Sequence, residues 1–511
     1  MCQQLGEYIA INMILKRIIL AAFLGFILFS GLQLVAQSTV RPKELAVALA
    51  QFGNDSRMRS ASWGLVVIDV SSGDTIAAVN PHEALVPAST LKIITTASAL
   101  EMLDTNFRYQ TLLGMRGNVG STGILHGDLI IRGSGDPTFG WKEFAAKNSL
   151  DSVFTVWYHA IKNAGIRKIS GRVFVDETIF DDQLIPRTWI WENMGNHFGA
   201  GTSGMSVLNN RFTVFFQAGD SLGKPASVLR TEPEVPGMIL QNTVTTGPPG
   251  SGDQVWIFGA PFQMERLLTG TVPLGQREFP VHGSLPDPPM FVADAFANFL
   301  HNKGMHQSKA PVSTRISRLL GLTVPQLTDT LSVWLSSSLL QIANFTNFRS
   351  DNSFSEALLK TIAHRKGHPA TTAAGAAAIR SFWQNQGINT QGMFLFDGSG
   401  LSPSNRVTAG QLAHILNILA RRNYFPAFSE SLPLAGQTGS LAHVFRGTKS
   451  QGVLRAKTGT LSHVRAFAGY TKTQSGRTVA FAFLVNHFHG TGSELRNEMV
   501  LIMDAITRYN Q

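Results

Sequence analysis

A strand hairpin followed by a helix occurs near both ends of this 511-residue chain, and the two copies constrain the fold more than any other feature. Residues 63–70 form an apolar strand, Ser71-Ser72-Gly73-Asp74 its turn, and residues 75–79 the returning strand. After Pro87 a helical stretch runs through Leu103 without Gly or Pro. Near the other end, residues 464–472 and 478–486 are apolar runs joined by Thr473-Gln474-Ser475-Gly476, and Leu495, Met499, Ile502 and Ile506 then recur at helical spacing. Each hairpin needs a helix to cover its apolar face, which gives an α+β fold with an antiparallel sheet flanked by helices. Between these ends, residues 106–284 are rich in Gly, Pro, Thr and Val, with strand-like pieces at 128–132 and 171–176. Pro286-Asp287-Pro288-Pro289 punctuates the chain, and a helical pattern resumes at 290–301. The middle reads as a β-rich insertion of one or two domains, splitting one domain into 37–105 and 285–511.

Residues 1–36 have the layout of a secretory signal peptide: Lys16 and Arg17, an apolar run at 18–28, and the small-residue site Leu34-Val35-Ala36. The run is shorter than the roughly 20 residues a membrane span needs, so cleavage near Ala36 is expected, and Met13 is a plausible alternative start. The only cysteine, Cys2, lies in that segment, so the mature chain is expected to have no disulfide, redox pair or cysteine nucleophile. The formal charge is +10, and loss of the leader removes only one unit of it. A basic exported chain is attracted to anionic surfaces, so peripheral association with cell wall or membrane is expected. Lys and Arg are scattered with no basic run interleaved with aromatics, which argues against nucleic acid.

Ser89 and Lys92 are three apart at the start of the first core helix, so both side chains emerge on one face and the amine can take the serine proton. The lysine must be neutral to do so, which requires a pKa lowered by burial or by neighbouring cations. Spacing alone is weak, because Ser221-Leu222-Gly223-Lys224 repeats it where Gly223 and Pro225 oppose a helix. The reading sharpens with Ser350-Asp351-Asn352 ahead of a helical stretch at 354–364, and with Lys457-Thr458-Gly459 immediately before the last hairpin. Ser-x-x-Lys, Ser-x-Asn and Lys-Thr-Gly in this order belong to serine acyltransferases that react with penicillin. Each piece has work to do. Ser350 can relay a proton between Lys92 and a leaving amine, and Asn352 can donate to a substrate amide carbonyl and orient Lys92. Lys457 supplies positive charge and Thr458 a hydroxyl for a terminal carboxylate. Gly459 lets a substrate backbone lie along the strand edge. The backbone N–H groups of Ser89 and Thr460 are the candidate oxyanion donors.

On these motifs the chain resembles the D-alanyl-D-alanine carboxypeptidase/endopeptidase family, the low-molecular-mass class C penicillin-binding proteins. Family-like stretches also include Gly133-Ser134-Gly135-Asp136-Pro137, Asp397-Gly398-Ser399-Gly400-Leu401-Ser402, Phe445-Arg446-Gly447-Thr448 and Arg455-Ala456-Lys457-Thr458-Gly459-Thr460. The long insertion between the first two motifs is a mark of that family. The resemblance implies a β-lactamase/transpeptidase-like catalytic domain acting in the cell envelope on peptidoglycan stem peptides and D-Ala cross-links. It implies β-lactam antibiotics as covalent inhibitors, and no cofactor or metal. The family leaves the middle of the second motif open, so Asp351 carries no expected role. Gln437-Thr438-Gly439-Ser440 departs slightly from the family pattern.

Other signals read as structural. Asp397 is expected to cap the helix that Thr408 begins, and Trp189 and Trp191 to pack in a core or domain contact. His487 and His489 lack the companions of a metal site. A β-lactamase with the same motifs needs a Glu-x-x-x-Asn for its deacylating water. Only Glu356 and Glu430 lie between Asn352 and Lys457, and neither has Asn at that spacing.

Overall fold

The computed structural model describes residues 39–40 and 43–510. The leader, its cleavage site near Ala36, Cys2 and Met13 lie outside the described residues. Six strands form one antiparallel sheet, in the order Thr39–Val40, Thr75–Val79, Ser62–Asp69, Thr478–Asn486, Val464–Lys472 and Arg455–Leu461. The two hairpins are therefore neighbours, joined by pairing of Ser62–Asp69 with Thr478–Asn486.

The central strand Thr478–Asn486 is buried along almost its whole length, and its period-2 alternation divides it between two cores. Ala480, Ala482 and Leu484 face a cluster containing Ile93, Ile94, Leu412 and Leu416. Val479, Phe481, Phe483 and Val485 face another with Leu45, Leu49, Phe52, Leu495 and Met499. Small side chains on the first face let the helices Leu91–Leu103 and Ala409–Leu419 approach closely. Large ones on the second fill the space under Lys43–Asn54 and Gly492–Thr507. Each buried Phe on this face contributes about 1.5–3 kcal/mol. The expected stripe of Leu495, Met499, Ile502 and Ile506 is buried there.

The middle of the chain builds three further sheets around one apolar cluster that runs from Leu113 to Met305. The first contains Val312–Ser313, Val173–Asp176, Ile124–Arg132, Gln110–Val119 and Asp329–Leu335. The last of these strands pairs with Gln110–Val119, so the pairing begun near residue 110 continues well beyond 284. Pro286-Asp287-Pro288-Pro289 is a helix start: Asp287 caps Pro288–Asn302 through the Met290 N–H, and proline occupies the first turn, where no donor is lost. Phe291, Phe296 and Leu300 of that helix pack into the insertion core. Among the described residues no helix is long and apolar enough to cross a membrane.

Candidate active site

The chain re-enters the catalytic layer through the helix Leu339–Arg349, which a Ser338–Gln341 capping box starts and Ser350 stops in the left-handed conformation (φ 60°, ψ 37°). Asp351 then caps the helix Asn352–Arg365 by accepting from the Phe354 N–H at 3.2 Å. Ser350-Asp351-Asn352 is thus the joint between two helices. Ser89 sits in a short 3-10 turn, Ala88–Thr90, that runs into Leu91–Leu103, and Ala88 before it has φ 46°. Positive φ at a non-glycine residue is strained and persists where surrounding structure fixes it.

Two neighbours fix it. A Cβ added to Gly400 would lie 1.9 Å from the Ala88 carbonyl oxygen, and one added to Gly459 would lie 2.5 Å from that of Pro87. Gly459 is therefore required for the strand Arg455–Leu461 to lie against the Ser89 turn, a different reason from the substrate clearance expected of it. That strand is itself the sheet edge, so Lys457, Thr458, Gly459 and Thr460 lie within a strand rather than ahead of one.

These elements bring the three motifs together. Lys92 is fully buried, and its Nζ donates to Ser89 Oγ at 3.1 Å, Asn352 Oδ1 at 2.7 Å and the Ser399 carbonyl at 2.7 Å. Burial pushes Lys92 down to about 8, against the opposing pull of Asp397, Asp351 and Glu356. Lys457 Nζ donates to Ser350 Oγ at 2.8 Å and to the Thr458 carbonyl at 3.0 Å. Lys457 too is buried, and burial followed by repulsion from Lys92 holds it well below the usual lysine range. Two amines, two serine hydroxyls and an amide thus share one site, with both amines easier to deprotonate than in water.

Ser89 opens onto a cavity of about 730 Å³. Ser350, Asn352 and Thr460 line it from the catalytic domain; Glu192, Phe198 and Trp256 line it from the insertion. Thr458 Oγ1 donates to Ser440 Oγ at 2.9 Å, so the stretch that departs from the family pattern supplies an exposed hydroxyl beside the third motif.

Several groups that hold Lys92 are not assigned that role on the sequence. Glu356, one turn along the helix from Asn352, accepts the N–H groups of Gly398 and Ser399 at 2.9–3.1 Å and so sets the Ser399 carbonyl. Burial pushes Glu356 up to about 8, helped by Asp397 and opposed by those N–H groups. Asp397 does not cap the next helix, because Thr408 caps it alone with Gln411. Asp397 instead gathers its own loop through Gly400 N, Ser402 N and Asn405 Nδ2, and accepts from Trp189 Nε1 at 2.9 Å. Its carboxylate organises the loop sequence in which it stands, and Trp189 makes the domain contact. Trp191 lies in a separate short turn, exposed and stacked on Phe258.

A model of the D-Ala-D-Ala carboxypeptidase 3 (S13) family matches residues 45–506. The chain belongs to that family. It is 29% identical over 463 residues to a D-alanyl-D-alanine carboxypeptidase of Actinomadura sp. (strain R39), covering 88% of this chain and 82% of that protein. It is 25% identical over 432 residues to the D-alanyl-D-alanine carboxypeptidase DacB of Haemophilus influenzae, covering 83% and 85%. The crystal structure of penicillin binding protein 4 (dacB) from Haemophilus influenzae superposes with a TM-score of 0.75 at 22% identity. That match covers 88% of this chain and 97% of that one, so the fold is shared. As an S13 family member, the chain is a serine-type D-Ala-D-Ala carboxypeptidase of the penicillin-binding class.

Proposed function

We propose that this enzyme cleaves peptidoglycan stem peptides and D-Ala cross-links through an acyl-enzyme on Ser89. The observation that carries the reading is the fully buried Lys92, pushed down to about 8 and 3.1 Å from Ser89 Oγ. Neutral Lys92 takes the Ser89 proton as the oxygen attacks the carbonyl carbon of the penultimate D-Ala. The backbone N–H groups of Ser89 and Thr460, both on the cavity wall, receive the developing oxyanion. Collapse breaks the peptide C–N bond. The leaving amine takes the proton that Lys92 removed from Ser89, relayed through the Ser350 hydroxyl, which Lys457 holds by a hydrogen bond, and Lys92 is neutral again. Water then attacks the ester, with Lys92 again as base, and releases the shortened stem peptide.

Asn352 orients Lys92 through its amide oxygen. Lys457 is buried in the edge strand and gives the cleft its positive field; the half-buried Thr458 and the exposed Thr460 and Ser440 supply the hydroxyls that meet the terminal carboxylate. Glu356 is engaged with backbone N–H groups and Glu430 is exposed outside the cavity lining, so neither glutamate between the second and third motifs is placed as a base for hydrolysing a penicilloyl ester, and this supports β-lactams as covalent inhibitors. The basic leader and net positive charge support an exported enzyme in the periplasm or cell envelope, drawn peripherally to wall or membrane. Mass spectrometry of a muropeptide digest tests the reading: loss of one alanine reports carboxypeptidase action, opening of dimers endopeptidase action, and neither product from active-site-intact protein rejects it.

A further inference from the structure

We infer that the inserted domain is a working part of the acylation site: Arg211 and Asn209 are positioning residues that set Ser350 and Asn352 by gripping the Asp351 carboxylate between them. The inference rests on the roles given above to Ser350 and Asn352. One Asp351 oxygen, Oδ2, accepts from Arg211 Nη2 at 2.6 Å and from Asn209 Nδ2 at 2.7 Å. The other, Oδ1, accepts from Phe354 N and starts the helix that carries Asn352. The Asp351 side chain is 3% exposed, so its charge has no aqueous alternative if the arginine is withdrawn.

The insertion also holds Asn352 directly. Its Nδ2 donates to the Phe198 carbonyl at 2.7 Å while its Oδ1 accepts from Lys92, so the amide is fixed from both domains and cannot flip without losing both bonds. The insertion side of the grip is built for the purpose. Leu208, Asn209 and Asn210 are three consecutive non-glycine residues at φ 51–54°, a conformation that persists only where its surroundings enforce it. Here Asn210 Oδ1 accepts the Val207 N–H, and Asn210 Nδ2 donates to Ser206 Oγ. Arg211 opens a strand paired with Phe279–Ser284, and its guanidinium lies 5.6 Å from the centre of the Trp141 ring. A strained turn, a paired strand and an aromatic ring thus aim two donors at one carboxylate, and that carboxylate separates two acylation groups by one residue on each side. A displacement of about 1 Å in such groups costs on the order of a hundredfold in rate.

The test is stopped-flow acylation by a fluorescent penicillin on the full chain, separating the limiting rate from the half-saturating concentration, with thermal unfolding recorded in parallel. Arg211→Gln should lower the limiting rate about tenfold or more while changing the half-saturating concentration less than about twofold. Arg211→Lys, which keeps one charged donor, should recover part of the loss. Asp351→Asn keeps an oxygen for the helix cap and should lose a similar factor; the double variant should be no slower than the slower single one, because both remove the same interaction. Arg230→Gln, at an exposed ion pair of the insertion, should acylate as wild type. A folded Arg211→Gln enzyme with an unchanged limiting rate, or multiplicative losses in the double variant, overturns the inference. If Arg211→Gln does not fold, a wild-type limiting rate in Asp351→Asn does the same. Labelling of Ser89→Ala as strong as wild type would instead overturn the underlying assignment of the nucleophile.

Discussion

Ser-x-x-Lys occurs twice in this chain, at Ser89–Lys92 and at Ser221–Lys224, in opposite surroundings. The first begins a helix, where three-residue spacing stacks the two side chains and puts the amine 3.1 Å from the hydroxyl. The second lies on an exposed turn of the insertion, with Gly223 at φ 77° and Ser221 Oγ donating to Asp220 at 3.2 Å. Lys92 has lost its water and gained three acceptors; Lys224 is exposed. Identical spacing therefore has chemical meaning only where backbone conformation brings the groups together and burial makes the amine a base at neutral pH.

The largest effect separating the two copies is expected from the bases. Lys92→Ala should slow acylation by benzylpenicillin about 10²–10⁴-fold, while Lys224→Ala leaves it unchanged; comparable losses in both would erase the distinction. Next is pH. Lys92 acts only when neutral, and burial sets it near 8, so the acylation rate should fall about tenfold per unit below pH 8 and level off above it. A flat profile from pH 6 to 9 would mean that Lys92 is not the titrating base. Third, Lys457→Ala should weaken turnover of substrates with a free terminal carboxylate by a factor corresponding to about 1.5–3 kcal/mol, and a loss under threefold counts against its role. Fourth, Gly459→Ala should lower stability by about 1–3 kcal/mol in thermal unfolding and impair acylation, because its Cβ meets the Pro87 carbonyl. The smallest effect is Ser221→Ala, which should alter stability by less than about 0.5 kcal/mol and leave labelling intact.

How much of this was legible in the sequence follows from where each signal resides. The hairpins, the final helix stripe and the helix that follows Ser89 are local patterns, and each stands where its pattern put it; Lys457-Thr458-Gly459 lies in a strand of its own ahead of the last hairpin. The support for Lys92 is not local. Its third acceptor is a backbone carbonyl at Ser399, oriented by a carboxylate 43 positions earlier in the chain, and a carbonyl leaves no mark on residue identity. Asp351 carried no expected role because the family leaves that position open, and nothing local points to its partners, Arg211 and Asn209, which lie about 140 positions away in the insertion. The proline cluster at 286–289 reads as punctuation, yet proline also suits the first turn of a helix. The pairing of Val312–Ser313 with Val173–Asp176 and of Asp329–Leu335 with Gln110–Val119 reveals that the insertion's sheet continues beyond it.

Intact-protein mass spectrometry after mixing with benzylpenicillin, followed by peptide mapping, tests the central assignment most directly. Opening of the lactam by Ser89 keeps the leaving amine tethered beside the ester, and the one buried glutamate between the second and third motifs, Glu356, is held by backbone N–H groups. The account predicts a near-stoichiometric adduct on the peptide containing Ser89 that decays slowly, is absent from Ser89→Ala and is unchanged in Ser221→Ala. An adduct that persists in Ser89→Ala, or rapid loss of penicillin with no adduct in the wild-type enzyme, would contradict it.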